Sequence, residues 1–281
     1  MAITSKQIIS LIAGAATVVA HGHVNNVVID GVYYQGYDPG SFPYIPNPPI
    51  VAAWAASNLD NGFIAPDAFQ TSDIICHKNS TNGGAHIPVK AGDSISLQWT
   101  PTWPSSHHGP VIDYLASCGA SCKTVDKTTL KFFKVDGVGY ISGSGIGTWA
   151  ADVLIENNST WLVKIPADLA SGNYVLRHEI IALHSAGSVD GAQSYPQCFN
   201  LAVTGTGSVQ PSGVLGTALY KSDDPGILYD LYGTTQSYVV PGPTQYTGFP
   251  SSVVQTSSVA TTTSTAIPGQ VLCWDCGLNI S

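Results

Sequence analysis

Charge is scarce in this chain. Of 281 residues, 10 are basic and 18 acidic, a 10% share where ordinary globular proteins carry about 25%. So few Lys and Arg, with a formal net charge of −8, exclude a general attraction to phosphate backbones, because counterion release needs clustered cations. Nucleic acid is not an expected partner. Long apolar runs are also missing after the stretch Ile8 to Ala20, itself too short and too rich in Ala and Gly for a span of about 20 residues. No membrane partner is expected. The 29 Gly and 18 Pro break up helical periodicity and exclude a long bundle; with 44% apolar residues they fit one β-rich domain with a full core.

Lys6 ahead of the apolar stretch, and Val18 and Ala20 at cleavage spacing, read as a secretory signal over residues 1–20. The mature chain would begin at His21, be soluble and extracellular, and keep 9 basic against 18 acidic residues. Six Cys in an exported chain imply disulfides, with fifteen possible connectivities. Cys118 and Cys122 bracket Gly-Ala-Ser and can close a local loop; Cys273 and Cys276 sit together near the end, which leaves Cys76 and Cys198 as a long-range pair. Cys273-Trp-Asp-Cys276 reads as a local pair rather than metal ligands, since no other Cys is near. Sequons at Asn79, Asn157, Asn158 and Asn279 agree with passage through a eukaryotic secretory pathway.

Period-two alternation in short segments between Gly, Pro, Asn and Ser is the pattern of an antiparallel β-sandwich. Ile95, Leu97 and Trp99 alternate with Ser94, Ser96 and Gln98, and Trp161, Val163 and Ile165 with Thr160 and Lys164. Strands are also expected at 23–29, 111–115, 130–135, 173–181 and 198–203, with long functional loops at 30–75 and 183–197. The domain spans residues 21–250. The Ser/Thr tract from Ser251 to Thr265 reads as a linker, and residues 251–281 as linker and short tail with too little apolar mass for a second core.

The chemistry lies with histidine. Once the leader is cut, His21 offers an α-amine and an imidazole on one residue, a two-nitrogen chelate suited to Cu(II). The amine, with a reference pKa of about 7.7–8.0, yields its proton to a metal near neutral pH. A second cluster, Ser105-Ser106-His107-His108-Gly109-Pro110, feeds an apolar strand; its two His point to opposite faces, so one of them can share a site with His21. A third holds His184, Gln193 and Tyr195, and equal parity puts Gln193 and Tyr195 on one face of an extended segment.

Taken in order, His21-Gly-His-Val, Asn26-Val-Val-Ile-Asp-Gly, Asn47-Pro-Pro, Asp73-Ile-Ile-Cys-His77, Leu97-Gln-Trp, Ser106-His-His-Gly-Pro-Val, Arg177-His-Glu-Ile-Ile-Ala-Leu-His184, Gly191-Ala-Gln-Ser-Tyr-Pro-Gln-Cys198 and Asp224-Pro-Gly-Ile-Leu resemble the fungal cellulose-active lytic polysaccharide monooxygenases of auxiliary-activity family nine. The resemblance covers residues 21 to about 248. It implies an immunoglobulin- or fibronectin-like β-sandwich and one copper ion held by the amine and ring of His21 and the ring of His107, with the Tyr195 phenol axial. It also implies that His184 and Gln193 direct oxygen and protons beside the metal, and that Cys76 pairs with Cys198 and Cys118 with Cys122. The implied reaction is oxidation of β-1,4-glucan at C1 or C4 with O2 or H2O2 and an external electron donor, by a monomer. Tyr44 and Tyr232, with Tyr238 a weaker candidate, would stack on sugar rings of a cellulose surface. Asn79 and Asn158 are the expected glycosylation sites. His108 becomes a neighbour of the site, His178 packs inside the sandwich, and His23, His77 and His86 have no assigned role.

Two other classes compete. A non-catalytic carbohydrate-binding sandwich would need the tyrosines but not the joint presence of His21, His107 and Tyr195. A glycoside hydrolase would need two carboxylates about 5–9.5 Å apart, and no acid falls within the His107 or Gln193–Tyr195 motifs.

Overall fold

The computed structural model describes residues 21–101, 103–234, 237–248 and 253–268. The leader, Cys273, Cys276 and Asn279 lie outside the described residues. Thirteen strands and two short α-helices follow one another: β1 (Val24–Ile29), β2 (Val32–Gln35), α1 (Asp73–Cys76), β3 (Ile87–Lys90), β4 (Ser94–Trp99), β5 (Val111–Ser117), β6 (Lys131–Val138), β7 (Tyr140–Ser142), β8 (Thr148–Trp149), α2 (Ala150–Glu156), β9 (Thr160–Lys164), β10 (Gly172–Ala182), β11 (Gln193–Thr204), β12 (Val214–Leu215) and β13 (Thr262–Thr263).

Two sheets form the sandwich, one ordered β13-β2-β1-β4-β9 and the other β12-β6-β5-β10-β11-β3. Pairing is antiparallel except at the margins, where β3 lies parallel to β11 and β13 parallel to β2. The alternation in β4 and β9 has its physical basis here: Ile95, Leu97, Trp99, Trp161 and Val163 face the second sheet and join one core cluster. Strands β5 and β10 are apolar on both faces because the second sheet is covered twice. Its inner face packs on the first sheet, and its outer face packs Ile112, Tyr114, Val175 and Ile181 beneath α1 and residues 219–231 in a second cluster.

Within that outer layer Arg177 is fully buried. It forks onto Glu179 at 2.8 and 2.9 Å and donates to the carbonyls of Ile74 and Ile75. Tyr220 donates to the same carboxylate and shares a hydrogen bond with Tyr114. This network docks α1 on the sheet, and a disulfide from Cys76 to Cys198 ties it to β11; a second disulfide joins Cys118 to Cys122.

Strand β11 starts five residues earlier than its sequence pattern indicates and runs through Pro196, so residues 193–197 are strand rather than loop. Proline is tolerated because the NH groups of Ser194 and Asn200, which share its parity, point away from β10, toward the carbonyls of Ile64 and Ala52. The missing donor would have faced the same way.

The Ser/Thr tract expected to be a linker is packed against the first sheet over residues 253–268. Gln255 accepts from Leu162 NH at 2.8 Å and donates to its carbonyl at 3.1 Å; Gln98 donates to the Ser258 carbonyl; Thr262 and Thr263 pair with Val32 and Tyr33; Ala266 is buried. Apolar content, the basis of the linker expectation, does not register docking through backbone and amide groups.

Candidate metal centre

One end of the sandwich gathers the three histidine clusters from separate strands. The segment bearing His21 leads into β1 and is held from both sheets. Val24 NH donates to Gln197 Oε1 on β11 at 2.6 Å, and Thr100 NH, just past β4, donates to the His23 carbonyl at 2.9 Å. His107 lies on the approach to β5, where Trp103 Nε1 donates to its carbonyl. His184 follows β10, and Gln193 and Tyr195 open β11.

These residues meet. The rings of His21 and His107 have centroids 5.3 Å apart, His21 and Tyr195 5.4 Å, and His107 and His184 4.0 Å. Tyr195 is buried and donates to Gln193 Oε1 at 2.8 Å. His107 Nδ1 shares a hydrogen bond with Ser106 Oγ at 3.1 Å, whereas its buried Nε2 has no partner among the described residues.

Electrostatics keeps the cluster neutral. Burial, followed by the neighbouring imidazoles of His184, His21 and His108, pushes His107 down to about 4. Burial also lowers His21, with Asp60 opposing, and lowers His184. The Tyr195 phenol is raised well above its ordinary range by burial and by the Asp60 charge, and so stays protonated. At neutral pH the centre offers uncharged nitrogen lone pairs and a neutral phenol.

A copper ion suits this donor set. Among the described residues no three His, Cys, Asp or Glu side chains group as a metal site. The unpartnered His107 Nε2 is the nitrogen that would take a metal, since Nδ1 is engaged with Ser106.

Two aromatic walls escaped the sequence reading. Trp103 packs edge-on against Tyr195 at 4.9 Å and His107 at 5.7 Å, and Phe63 lies 6.0 Å from Tyr195 and 6.4 Å from His21. Trp103 stands four residues before His107, a spacing that could have drawn attention; Phe63 sits in the long 30–75 loop without any local pattern.

Tyr44 is 72% exposed and Tyr232 65%. Asp38, six residues before Tyr44, lies 3.9 Å from His23, and Tyr229 NH beside Tyr232 donates to the Ala186 carbonyl, so each loop borders a segment of the histidine cluster. Tyr238 turns inward instead: it packs on Trp149 and Tyr229, and its hydroxyl donates to the Gly226 carbonyl. It does not belong with the exposed pair.

The rings of four other histidines have partners outside the cluster. His178 is fully buried between Trp99 Nε1 at 2.9 Å and Asp113 at 2.8 Å; His23 contacts Asn61, His77 accepts from Lys78 NH, and His86 accepts from Cys122 NH. Asn79 and Asn158 are exposed, and Asn158 Nδ2 donates to Ser257 Oγ of the packed tail.

No helix among the described residues is long and apolar enough to cross a membrane. The profile of Auxiliary Activity family 9 (formerly GH61) matches residues 21–238. The chain is 61% identical over 267 residues to "AA9 family lytic polysaccharide monooxygenase cel61A" of Hypocrea jecorina, covering 94% of this chain and 77% of that one. It is 58% identical to "AA9 family lytic polysaccharide monooxygenase H" of Thermothelomyces thermophilus, covering 92% and 75%. The solved structure "Extended catalytic domain of H. jecorina LPMO9A a.k.a EG4" superposes with a TM-score of 0.86 at 63% identity, covering 88% of this chain and all of that one. With a β-sandwich in common and a profile match across most of its length, the chain belongs to Auxiliary Activity family 9, the copper-dependent lytic polysaccharide monooxygenases.

Proposed function

We propose that this enzyme is secreted, is cut after Ala20, and oxidatively cleaves β-1,4-glucan chains of cellulose at C1, C4 or both, with an external electron donor and O2 or H2O2. The observation that carries the reading is the convergence of His21 and His107, ring centroids 5.3 Å apart, above the buried Tyr195 phenol, with His107 Nε2 unpartnered. His21 would hold one copper ion through its α-amine and ring, His107 through Nε2, and Tyr195 would offer its phenol oxygen as a further ligand. Copper, when bound, supplies one-electron redox chemistry toward oxygen.

The protein's own groups do the rest. Trp103, Phe63 and Tyr195 wall the site with apolar surface and limit water. Gln193 Oε1 accepts the hydrogen bond of the Tyr195 hydroxyl, which fixes its amide so that the NH2 group can donate to an oxygen co-substrate. His184, stacked on His107, can hand a proton to the same region or take one from it. Tyr44 and Tyr232 present rings to the sugar faces of a planar substrate, each hydroxyl staying hydrated. Asn79 and Asn158 would carry glycans, and the chain would act as a monomer with its catalytic domain starting at His21. A non-catalytic carbohydrate-binding sandwich would use the two tyrosines alone and leaves the converging nitrogens without a purpose.

The test is electron paramagnetic resonance of protein beginning at His21 with one equivalent of copper, alongside detection of oxidised cello-oligosaccharides. An axial nitrogen-ligated Cu(II) signal and reductant-dependent products are expected. Copper affinity unchanged by a residue left ahead of His21 would defeat the assignment.

A further inference from the structure

His107 and His108 point to opposite sides of their segment, and the second has a partner of its own. His108 Nδ1 lies 2.8 Å from Asp152 Oδ1 on α2, and both side chains are about one-fifth exposed. The other oxygen of Asp152 accepts from Trp149 NH at 2.8 Å, closing the first turn of α2. The backbone around this pair is held on two sides. Ala151 NH donates to the Gly109 carbonyl from α2, and Leu183 NH donates to the His108 carbonyl from the end of β10. At Gly109 a side chain is excluded, since a Cβ would stand 1.9 Å from the Ile181 carbonyl oxygen.

His108 therefore joins three elements: by its side chain to α2, by its carbonyl to the residue before His184, and by its peptide link to His107. The stack of His107 on His184 at 4.0 Å depends on the backbone between them, and the His108 side chain hydrogen-bonds to α2. From this geometry we infer that the His108–Asp152 pair is a positioning device, which pins the segment before β5 to α2 and so sets the His107 ring against His184 and His21. His108 does not touch the metal position and is no catalytic residue. Partners bonded directly to metal-binding histidines are worth about 10- to 100-fold in metal affinity or activity elsewhere; the His108–Asp152 pair acts one peptide link further out, so its effect should lie at the low end.

This inference rests on the copper reading proposed above, and the experiment separates the two. Protein beginning at His21 is prepared as wild type, His107→Ala, His108→Leu, His108→Asn, Asp152→Ala and the His108→Leu/Asp152→Ala double variant. Cu(II) affinity is read by calorimetry, the coordination by electron paramagnetic resonance, and folding by thermal melting of metal-free protein. Leu fills the space without a donor, whereas the Asn amide nitrogen stands where His108 Nδ1 does. His108→Leu should bind copper about tenfold more weakly with altered hyperfine splitting, His108→Asn should recover most of both, and the double variant should lose no more than the worse single variant. Should His108→Leu fail to fold, Asp152→Ala against His108→Asn gives the same contrast. Wild-type affinity and spectrum in folded His108→Leu, or additive losses in the double variant, would overturn the pair as a positioning device. A wild type that binds no copper, or binds it unchanged in His107→Ala, would instead overturn the metal assignment itself.

Discussion

The rings of His107 and His184 stack with centroids 4.0 Å apart and planes 35° from parallel. Burial is the largest reason that each resists protonation; for His107 the next is His184. In metal-free protein His107 should titrate near about 4. His184→Phe keeps a ring and removes a charge, so it should raise that value while leaving it below the unperturbed 6.5 or so. Nitrogen-detected NMR titration of the imidazoles checks this, and an unmoved value would assign the whole shift to burial.

Gln193→Leu removes the acceptor of the Tyr195 hydroxyl, which is otherwise enclosed. A buried donor left without a partner costs about 1–3 kcal/mol, so the variant should melt lower. Copper affinity should stay close to wild type, and release of oxidised oligosaccharides should fall by about 10- to 100-fold. Unchanged turnover in the loaded, folded variant would remove Gln193 from the reaction and leave it as the anchor of Tyr195.

His77 lies far from the outside solvent at 2% exposure, and burial, with Lys78 assisting, lowers it to about 4. Above pH 6.5 both native and unfolded forms are neutral and the group has no effect. As pH falls from 6.5 toward 4 the unfolded chain takes a proton that the native one refuses, so stability is lost across that window, by about 3 kcal/mol for a shift of this size. His77→Gln should flatten the decline in chemically induced unfolding between those pH values. An equal slope in both proteins would place the proton uptake elsewhere.

Removing Gln255 strips Leu162 of partners for both its NH and its carbonyl. Gln255→Ala should speed amide exchange at Leu162 and lower stability by about 1–2 kcal/mol, the worth of two part-exposed hydrogen bonds. Unchanged exchange would mean that the tail's backbone, rather than this side chain, protects the strand.

Glu179→Gln leaves Arg177 buried without a charged partner. Breaking one side of such a pair costs about 3–5 kcal/mol, and the loss should appear in melting temperature while α1 loosens first in hydrogen exchange.

Strands β4 and β9 were legible because Ile95, Leu97, Trp99, Trp161 and Val163 alternate with polar Ser94, Ser96, Gln98, Thr160 and Lys164, so the period of two survives in the residue types with Leu162 as the one exception. The second sheet was harder to delimit. Burial on both faces erases alternation in β5 and β10, and Pro196 hid the start of β11, although its parity makes it harmless. The residues proposed to face a metal were visible as chemistry at fixed spacing: a His after a candidate cleavage site, a His pair before a strand, Gln and Tyr two apart. Trp103 and Phe63 were not, since an aromatic ring in a wall carries no different local pattern from one in a core. The packed tail was illegible for another reason. It contributes amide groups to sheet margins, and composition weighs only side-chain apolarity.

Those margins have a bearing on how the molecule behaves in a crowded solution. An open strand presents NH and carbonyl groups that another chain can pair with, the usual start of sheet-to-sheet aggregation. In the first sheet the tail meets both ends of the strand order: two residues of β13 lie beside β2, and Gln255 takes the groups of Leu162 on β9. A second copy approaching this sheet finds the hydrogen-bonding positions at Gly31, Tyr33 and Leu162 already taken by its own chain, so the same polar stretch that looks dispensable by composition also guards against self-association.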